Sequence, residues 1–220
     1  MFKGIFPITC YEAILTDDFS KLKDVSRKLE YRDAIPNELE TSLAGASHNR
    51  VLEHPDLSYI KKTLMFHFNY FKDTCLTLAS HDKTDTIITT SWFARLKKGG
   101  KIHHHNHCNS WYSGLLYFDD DYTDAAPLAL ENPLSGFTHF DTNQVSDVSL
   151  CPDVYYEIVP QPNKIFFFPS YLKHMSAVQK GEKTRYSLAW NIYPKGKIGH
   201  DDSDSCLLYT SDAADEGHGV

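Results

Sequence analysis

Four histidines fall within one short segment, Lys101–Cys108, and their spacing is suited to binding a metal ion. If the segment is a strand, alternate side chains share a face, so that His103, His105 and His107 lie on one face and His104 lies on the other. Residues two apart are separated by roughly 6.6 Å along a strand, which lets two imidazoles lean toward one ion, whereas residues four apart, at roughly 13 Å, hardly do so. A metal pair is therefore His103/His105 or His105/His107. The alternative is a polar strand face in contact with solvent.

A third ligand must come from another strand, and His174 is the best candidate. It follows the continuous apolar run Ile165–Phe168, which is typical of a buried strand, and Pro169-Ser170, which would end or bend that strand. An ordinary turn histidine is the alternative interpretation. His139 is a competitor, but it lies in a loop-like stretch with no buried strand leading to it.

Eleven residues after His174, a cleanly alternating strand brings in an arginine. One face carries Arg185, Ser187, Ala189 and Asn191, and the other carries Tyr186, Leu188, Trp190 and Ile192. The apolar face is expected to pack under helices, so the other face points into a barrel. There an arginine offers a bidentate fork for a carboxylate and a serine adds a hydrogen bond. The alternative is an arginine paired with an Asp or Glu of the protein itself.

These residues belong to a chain in which helices come first and strands follow. Phe2–Leu15 is predicted to be a strand, Asp18–Leu29 a helix with Asp18 as its N-cap, Pro36–Asn49 a loop, and Asp56–Leu78 a long helix. Seven strands are then predicted at Thr86–Leu96, Lys101–His107, Ser113–Phe118, Pro127–Leu130, Val154–Val159, Lys164–Phe168 and Arg185–Tyr193. The pattern predicts an α+β, mostly β fold, a jelly roll with the N-terminal helices packed on one sheet.

Composition excludes several classes of protein. The 220 residues carry 22 Lys plus Arg against 29 Asp plus Glu, a net charge of −7, with no sustained basic run, which disfavours nucleic acid as a partner. No apolar stretch is long enough for a transmembrane helix, no signal peptide is evident at the N-terminus, and no membrane association is expected. The five cysteines are scattered and contain no CxxC, which favours a reducing, cytoplasmic location.

The predicted organisation is a single domain over residues 1–205, with a helical part at 1–82 and a β core at 83–198. The segment 206–220, CLLYTSDAADEGHGV, has neither strand alternation nor a helical stripe. It resembles translated sequencing-adapter read-through and is expected to be a non-native or disordered tail. Cys206 and His218 are therefore given no function.

The order of the motifs resembles that of a known family. An HxH pair, a strand Ser113-Gly114-Leu115-Leu116-Tyr117, an FPSxLxH segment ending at His174 and an RxS pair starting at Arg185 occur in sequence. This order resembles the prolyl-hydroxylase-like 2-oxoglutarate/Fe(II) oxygenases that are common among phage and marine microbial genes. The resemblance covers nearly the whole chain and is sharpest in His105–Tyr117 and Phe168–Asn191.

The resemblance implies a double-stranded β-helix, cupin-like fold that binds Fe(II) and 2-oxoglutarate. Carried over by motif, His105 and His174 match metal histidines, and Arg185 with Ser187 matches the pair that holds the far carboxylate of 2-oxoglutarate. Tyr117 is implied to lie beside the co-substrate. Residues implied to line the site are Trp111, Tyr112, Asn109 and Asn191.

The chain departs from the wider superfamily at residue 107, where His107 replaces an Asp or Glu. The resembled subgroup itself has HxH in this stretch. A histidine would keep the number of ligands but raise the charge of the site by one, so the assignment of His107 as third ligand is weaker than that of the other two.

The implied function is an Fe(II)- and 2-oxoglutarate-dependent dioxygenase that uses O₂, releases succinate and CO₂, and hydroxylates a second substrate. One alternative is a three-histidine, cupin-type dioxygenase that does not use 2-oxoglutarate. Another is a non-catalytic β-helix binding module. The sequence identifies neither the substrate nor the oligomeric state, and a homodimer is compatible with it.

Overall fold

The computed structural model describes residues 7–35, 39–42, 49–76, 85–134, 154–198 and 205–207. Predictions that fall elsewhere lie outside the described residues. These include the start of the first strand at Phe2, the end of the long helix at Leu78, the competitor His139, and the tail from residue 208 onward.

Twelve strands form two antiparallel sheets in the described part of the chain. In chain order they are β1 Tyr11–Ile14, β2 Tyr31–Ile35, β3 Leu39–Ser42, β4 Asp85–Leu96, β5 Ile102–His105, β6 Tyr112–Tyr117, β7 Leu128–Glu131, β8 Tyr155–Ile158, β9 Lys164–Pro169, β10 His174–Ser176, β11 Arg185–Ile198 and β12 Ser205–Leu207. The larger sheet has the order β1-β9-β6-β11-β4-β3-β2, with β12 paired to β11. The smaller sheet has the order β5-β10-β7-β8.

Two helices, α1 Ser20–Lys28 and α2 Ser58–Cys75, come early in the chain and pack on the larger sheet. The apolar spacing of α2 buries Ile60, Leu64, Phe68 and Phe71. These side chains form one core with the apolar face of β11, namely Leu188, Trp190 and Ile192. The mostly β fold with helices on one sheet is therefore confirmed.

A second core lies between the two sheets, where the inward residues of the large sheet meet those of the small one. Leu115, Tyr117, Phe166 and Phe168 from the larger sheet pack with Leu128, Leu130 and Ile158 from the smaller. Two sheets packed face to face bury residues that alternate along each strand. A cavity next to this second core is lined by residues of both sheets.

The structure corrects three local predictions in the N-terminal half. β3 occupies part of the predicted Pro36–Asn49 loop and pairs with β2 and β4. The predicted N-cap is wrong, because Phe19 holds that position; the Asp18 carboxylate instead accepts hydrogen bonds from the backbone and hydroxyl of Ser20. Cys75, which the apolar spacing of the predicted long helix places on its buried face, is exposed at the last turn of α2.

Strand pairing is described for two residues at the start of the segment 206–220. β12 pairs Cys206 with Lys197 and Leu207 with Gly196, so strand pairing extends two residues past position 205.

Within the described residues, no helix has both the length and the apolar character needed to cross a bilayer.

Candidate functional site

Three histidines converge at one end of the two sheets. β10 pairs antiparallel with β5 so that His174 lies opposite His105, and the ring centroids of these two are 4.3 Å apart. The His107 ring is 5.1 Å from the His105 ring and 5.0 Å from the His174 ring. One ligand nitrogen from each of the three lies within 4.8 Å of the other two. Three imidazole nitrogens at this separation suit a single transition-metal ion.

His107 reaches the cluster because the strand ends before it. The predicted strand ran through His107, but β5 stops at His105 and a turn follows at Cys108-Asn109. The backbone N–H of His107 donates to the carbonyl of Ser170 at 3.1 Å, which fixes the turn against the end of β9. With the backbone held in this turn, the His107 ring lies beside those of His105 and His174.

Hydrogen bonds set the tautomers of two of the three rings. The Nδ1 of His105 lies 2.7 Å from the carbonyl oxygen of His103, and the Nδ1 of His174 lies 3.0 Å from that of Leu172. Because a carbonyl only accepts, Nδ1 carries the proton in each ring. The Nε2 lone pair is therefore left for a metal, an arrangement common among metal-binding histidines.

Burial keeps two of these imidazoles in the neutral form that binds metals. Desolvation, with a smaller contribution from His105, lowers the pKa of His107 to about 4. The same two causes lower the pKa of His174 to about 3. Rings that are unprotonated at neutral pH need not lose a proton before they bind a metal, so the donor set fits Fe(II).

The neighbouring histidines of the segment do not join the cluster. His104 points to the opposite side of β5, where its Nε2 pairs with the carboxylate of Glu131 on β7. His103 is exposed and, among the described residues, is not part of the group that could hold a metal. Of the two pairs left open by the sequence, His105/His107 is the one the structure brings together with His174.

The predicted co-substrate residues line the same cavity as the histidines. Arg185 and Ser187 enter from β11 and Tyr117 from β6. All three are buried, with exposed fractions of 3%, 8% and 1%. The cavity has an empty volume of about 530 Å³, part of which is open to solvent. The three histidines and a buried cation thus share one chamber.

Arg185 has unused hydrogen-bonding capacity in this cavity. Its Nη1 donates to the carbonyl of Ala126, and its buried Nε has no partner. Among the residues that the structure describes, Arg185 makes no ion pair, in contrast to the alternative of an internal Asp or Glu partner. A buried guanidinium without an anion is costly, so the cavity fits an anionic ligand such as the distal carboxylate of 2-oxoglutarate.

Several cavity residues were not predicted from the sequence. Trp92 stands beside His107, with ring centroids 5.4 Å apart, and Phe168 stands beside His174 at 5.2 Å. Both line the cavity and form its aromatic wall. Trp92 lies opposite Ala189 in the β4–β11 pairing, and the alternation of β4 could have identified it once β11 was oriented.

The structure does not bring the four expected lining residues to the cavity. Trp111 and Tyr112 face the helices, where their rings lie 5.9 Å and 5.7 Å from that of Phe68. Tyr112 leaves the cavity because alternation on β6 gives the inward positions to Ser113, Leu115 and Tyr117. Asn109 is exposed in a turn at φ 56°, and Asn191 is half-buried and lies outside the lining.

Asn191 instead belongs to a chain of hydroxyl groups behind the metal site. Its Oδ1 accepts a hydrogen bond from the cavity-lining Ser113 at 2.8 Å. The Ser113 hydroxyl is 2.8 Å from that of Ser170, which is in turn 2.8 Å from that of Ser110. This chain supports the turn at Ser170 that holds the backbone of His107.

Gly114 is required by the close approach of an indole. In the β6–β11 pairing it lies opposite Trp190, and a Cβ at residue 114 would be 2.3 Å from the Trp190 ring. Trp190 is fully buried between the helices and the cavity floor. The glycine of the Ser113-Gly114 motif is therefore required by packing against Trp190.

The comparisons with known proteins agree with this geometry. Residues 90–191 match the family model described as "Putative 2OG-Fe(II) oxygenase". The matched segment begins in β4 and ends in β11, and so contains every predicted metal and co-substrate residue. No curated protein matches the sequence. Over these residues, the family match confirms the predicted resemblance to the 2-oxoglutarate/Fe(II) oxygenases.

Solved structures with low sequence identity share the fold. HygX from Streptomyces hygroscopicus, solved with nickel and 2-oxoglutarate bound, aligns with a TM-score of 0.58 at 9% identity, covering 93% of this chain and 94% of that one. A Pseudomonas putida prolyl-4-hydroxylase aligns at 0.53 and 13% identity, covering 84% and 92%. A 2OG-Fe(II) oxygenase family oxidoreductase from Burkholderia pseudomallei aligns at 0.55 and 10%, covering 79% and 76%. These likenesses confirm the double-stranded β-helix.

Proposed function

We propose that this chain, whose residues 90–191 match the 2-oxoglutarate/Fe(II) oxygenase family model, is a dioxygenase that hydroxylates a second substrate at a metal centre formed by His105, His107 and His174. The overall reaction converts 2-oxoglutarate, O₂ and a substrate C–H bond into succinate, CO₂ and the corresponding alcohol. One oxygen atom enters succinate and the other enters the substrate.

A single observation carries the proposal. The three histidine nitrogens and a buried arginine without an ion pair in the described structure lie in one cavity. A metal-binding face alone would equally suit an oxygenase that uses no 2-oxoglutarate. A buried cation in the same chamber adds a need for an anionic co-substrate, which favours the 2-oxoglutarate-dependent reaction over the three-histidine alternative.

The protein's contribution is to hold the reactants and to exclude water. His105 and His174 present their Nε2 atoms because their Nδ1 protons are held by backbone carbonyls. Arg185 orients the distal carboxylate by charge-assisted hydrogen bonds, with Ser187 beside it. Bound Fe(II) and 2-oxoglutarate together supply the oxidising chemistry that the side chains lack.

The aromatic wall limits what else enters the chamber. Trp92 and Phe168 flank the histidines, while Tyr117 closes the side near Arg185, its ring 5.9 Å from the guanidinium carbon. Tyr117 is fully buried, and burial raises the pKa of its phenol, which keeps it neutral. Apolar walls around a reactive centre suppress side reactions with water.

The histidine cluster is exposed to solvent on the side of His105. His105 is exposed, whereas His174 is buried. The second substrate is therefore proposed to approach from the end of β5, past His105, with its oxidisable C–H bond directed at the metal. The protein is further proposed to act in the cytoplasm, in line with its scattered cysteines.

Anaerobic binding of 2-oxoglutarate to the Fe(II)-loaded protein tests the proposal. Chelation of Fe(II) by a 2-oxo acid gives a weak metal-to-ligand absorption band in the visible, which we expect for the parent protein. The band is expected to disappear in His174→Ala and to need much more 2-oxoglutarate in Arg185→Ala. A parent protein that binds Fe(II) but gives no band with 2-oxoglutarate would favour the alternative dioxygenase or a non-catalytic module.

A further inference from the structure

Gln179 is a buried polar residue that lies outside the cavity but is bonded to the loops around Arg185. Its side chain is 1% exposed. Its Oε1 accepts the backbone N–H of Ala126 at 2.7 Å. Its Nε2 lies 3.2–3.5 Å from three backbone carbonyl oxygens, those of Asp124, Gly181 and Lys183.

The orientation of this amide follows from its partners. A backbone N–H only donates, so the side-chain atom facing Ala126 must be the acceptor oxygen. The nitrogen, which only donates, then faces the three carbonyls. Since a buried amide whose partners are all backbone groups fixes those groups in turn, Gln179 holds two backbone segments together.

Both segments lead directly to Arg185. The first contains Ala126, whose N–H is held by Gln179 and whose carbonyl accepts the hydrogen bond from Nη1 of Arg185. The second is the turn over residues 181–184, which enters β11 at Arg185 and whose carbonyls at Gly181 and Lys183 face the same amide. Gln179 is therefore hydrogen-bonded to Ala126, whose carbonyl binds the guanidinium, and to the backbone segment that leads into Arg185.

The backbone of Gln179 is itself held in place by two hydrogen bonds. Its N–H donates to the carbonyl of Gly100, and its carbonyl accepts from the N–H of Gly99, both at 2.8 Å. Packing around its side chain is equally tight. A Cβ at Gly181 would lie 2.7 Å from the carbonyl oxygen of Asp124 and 3.0 Å from Nε2 of Gln179.

We infer that Gln179 is a positioning residue for the 2-oxoglutarate anchor, acting through Ala126 and the 181–184 turn to aim the Arg185 guanidinium into the cavity. This inference rests on the proposed role of Arg185. It assigns to Gln179 an effect on the distal carboxylate alone, because Gln179 contacts neither the metal ligands nor the cavity.

The test compares two 2-oxo acids on the Fe(II)-loaded protein under anaerobic conditions. 2-Oxoglutarate carries the distal carboxylate and 2-oxobutyrate lacks it, while both chelate the metal through the same groups. We expect Gln179→Met, which keeps the volume but removes the hydrogen bonds, to raise the Kd of 2-oxoglutarate about tenfold. The Kd of 2-oxobutyrate, followed by the same visible band, is expected to stay within about twofold.

A matched control uses the exposed ion pair that joins the same two segments. Lys183 pairs with Asp121, but both side chains are in contact with solvent, so Lys183→Ala is expected to change neither Kd by more than about twofold. In an Arg185→Ala background, Gln179→Met is expected to add little to the Kd of 2-oxoglutarate, because the group it positions is gone.

Two results would overturn the inference while leaving the proposed function intact. One is equal weakening of both 2-oxo acids by Gln179→Met in a protein that circular dichroism finds folded. The other is a full additional effect in the Arg185→Ala background. If Gln179→Met does not fold, Gly181→Ala, which presses a Cβ against the same amide, is expected to give the same selective loss, and a non-selective loss there overturns the inference.

The anchor itself is tested in the same experiment. If Arg185→Ala weakens 2-oxoglutarate no more than 2-oxobutyrate, Arg185 does not bind the distal carboxylate. The proposed role of Arg185 then fails together with the role inferred for Gln179, which distinguishes this result from the two above.

Discussion

His174 and His105 face each other across the β10–β5 pairing with their ring centroids 4.3 Å apart. They are separated by almost seventy residues in sequence, and only the antiparallel pairing of two short strands joins them. Each ring has its Nδ1 hydrogen-bonded to a backbone carbonyl two residues earlier in the chain. The backbone of both strands thus holds each ring with its Nε2 free to bind a metal.

Metal retention should depend on which face of β5 a histidine occupies. We expect His105→Ala and His174→Ala to lower Fe(II) affinity by more than about 100-fold, since loss of a ligand costs more than loss of a supporting group. His104→Ala is the matched control, because His104 pairs with Glu131 on the other face. Metal titration by calorimetry measures all three. Equal losses in the three variants would contradict the assignment.

His107 tests the departure from the carboxylate found in the wider superfamily. We expect His107→Asp to retain Fe(II), because a carboxylate restores the commoner set of two histidines and one acid. His107→Ala should weaken Fe(II) binding, though less than His105→Ala if solvent fills the position. The Fe(II) affinity of both His107 variants is measured together with that of a His103→Ala control. Parent-like affinity and turnover in His107→Ala would remove His107 from the ligand set.

The arginine should control co-substrate affinity without affecting the metal. We expect Arg185→Ala to raise the apparent KM for 2-oxoglutarate about 30- to 150-fold, corresponding to about 2–3 kcal/mol for a lost charge-assisted pair. Arg185→Lys should fall between, since lysine keeps the charge but loses the fork. Fe(II) affinity should stay near that of the parent. A KM unchanged in Arg185→Ala would show that another group binds the acid.

Gly114 should be intolerant of any side chain. We expect Gly114→Ala to destabilise the protein by about 1–3 kcal/mol, because its Cβ would overlap the buried Trp190 ring at 2.3 Å. Gly99→Ala, at φ 86° in open space, serves for comparison and should cost about 1 kcal/mol through backbone strain alone. Thermal unfolding followed by circular dichroism measures both. A Tm for Gly114→Ala equal to that of the parent would contradict the packing argument.

Strand alternation predicted the parts of the site that lie on regular strands. The pattern of β11 correctly separated Leu188 and Ile192, which pack under the helices, from Arg185 and Ser187, which line the cavity. The pattern was informative because one face of β11 meets apolar helices and the other meets a polar chamber. Local alternation therefore sufficed there.

Alternation gave no guidance where both faces of a strand are buried. Every residue of β6 is buried, so the sequence could not show that Tyr112 faces the helices while Tyr117 faces the cavity. The turn after β5 was also not predicted, because the bend that presents His107 depends on a hydrogen bond to the distant Ser170. Such features depend on tertiary contacts.

The most direct test of the whole account is succinate formation by the purified protein with Fe(II), 2-oxoglutarate and O₂, without a second substrate. We expect slow uncoupled release of succinate that requires both Fe(II) and O₂, that is lost in His105→Ala and His174→Ala, and that is retained in His104→Ala. Failure of the folded, Fe(II)-loaded parent to convert 2-oxoglutarate into succinate, or conversion unaffected by the loss of His105 and His174, would contradict the account.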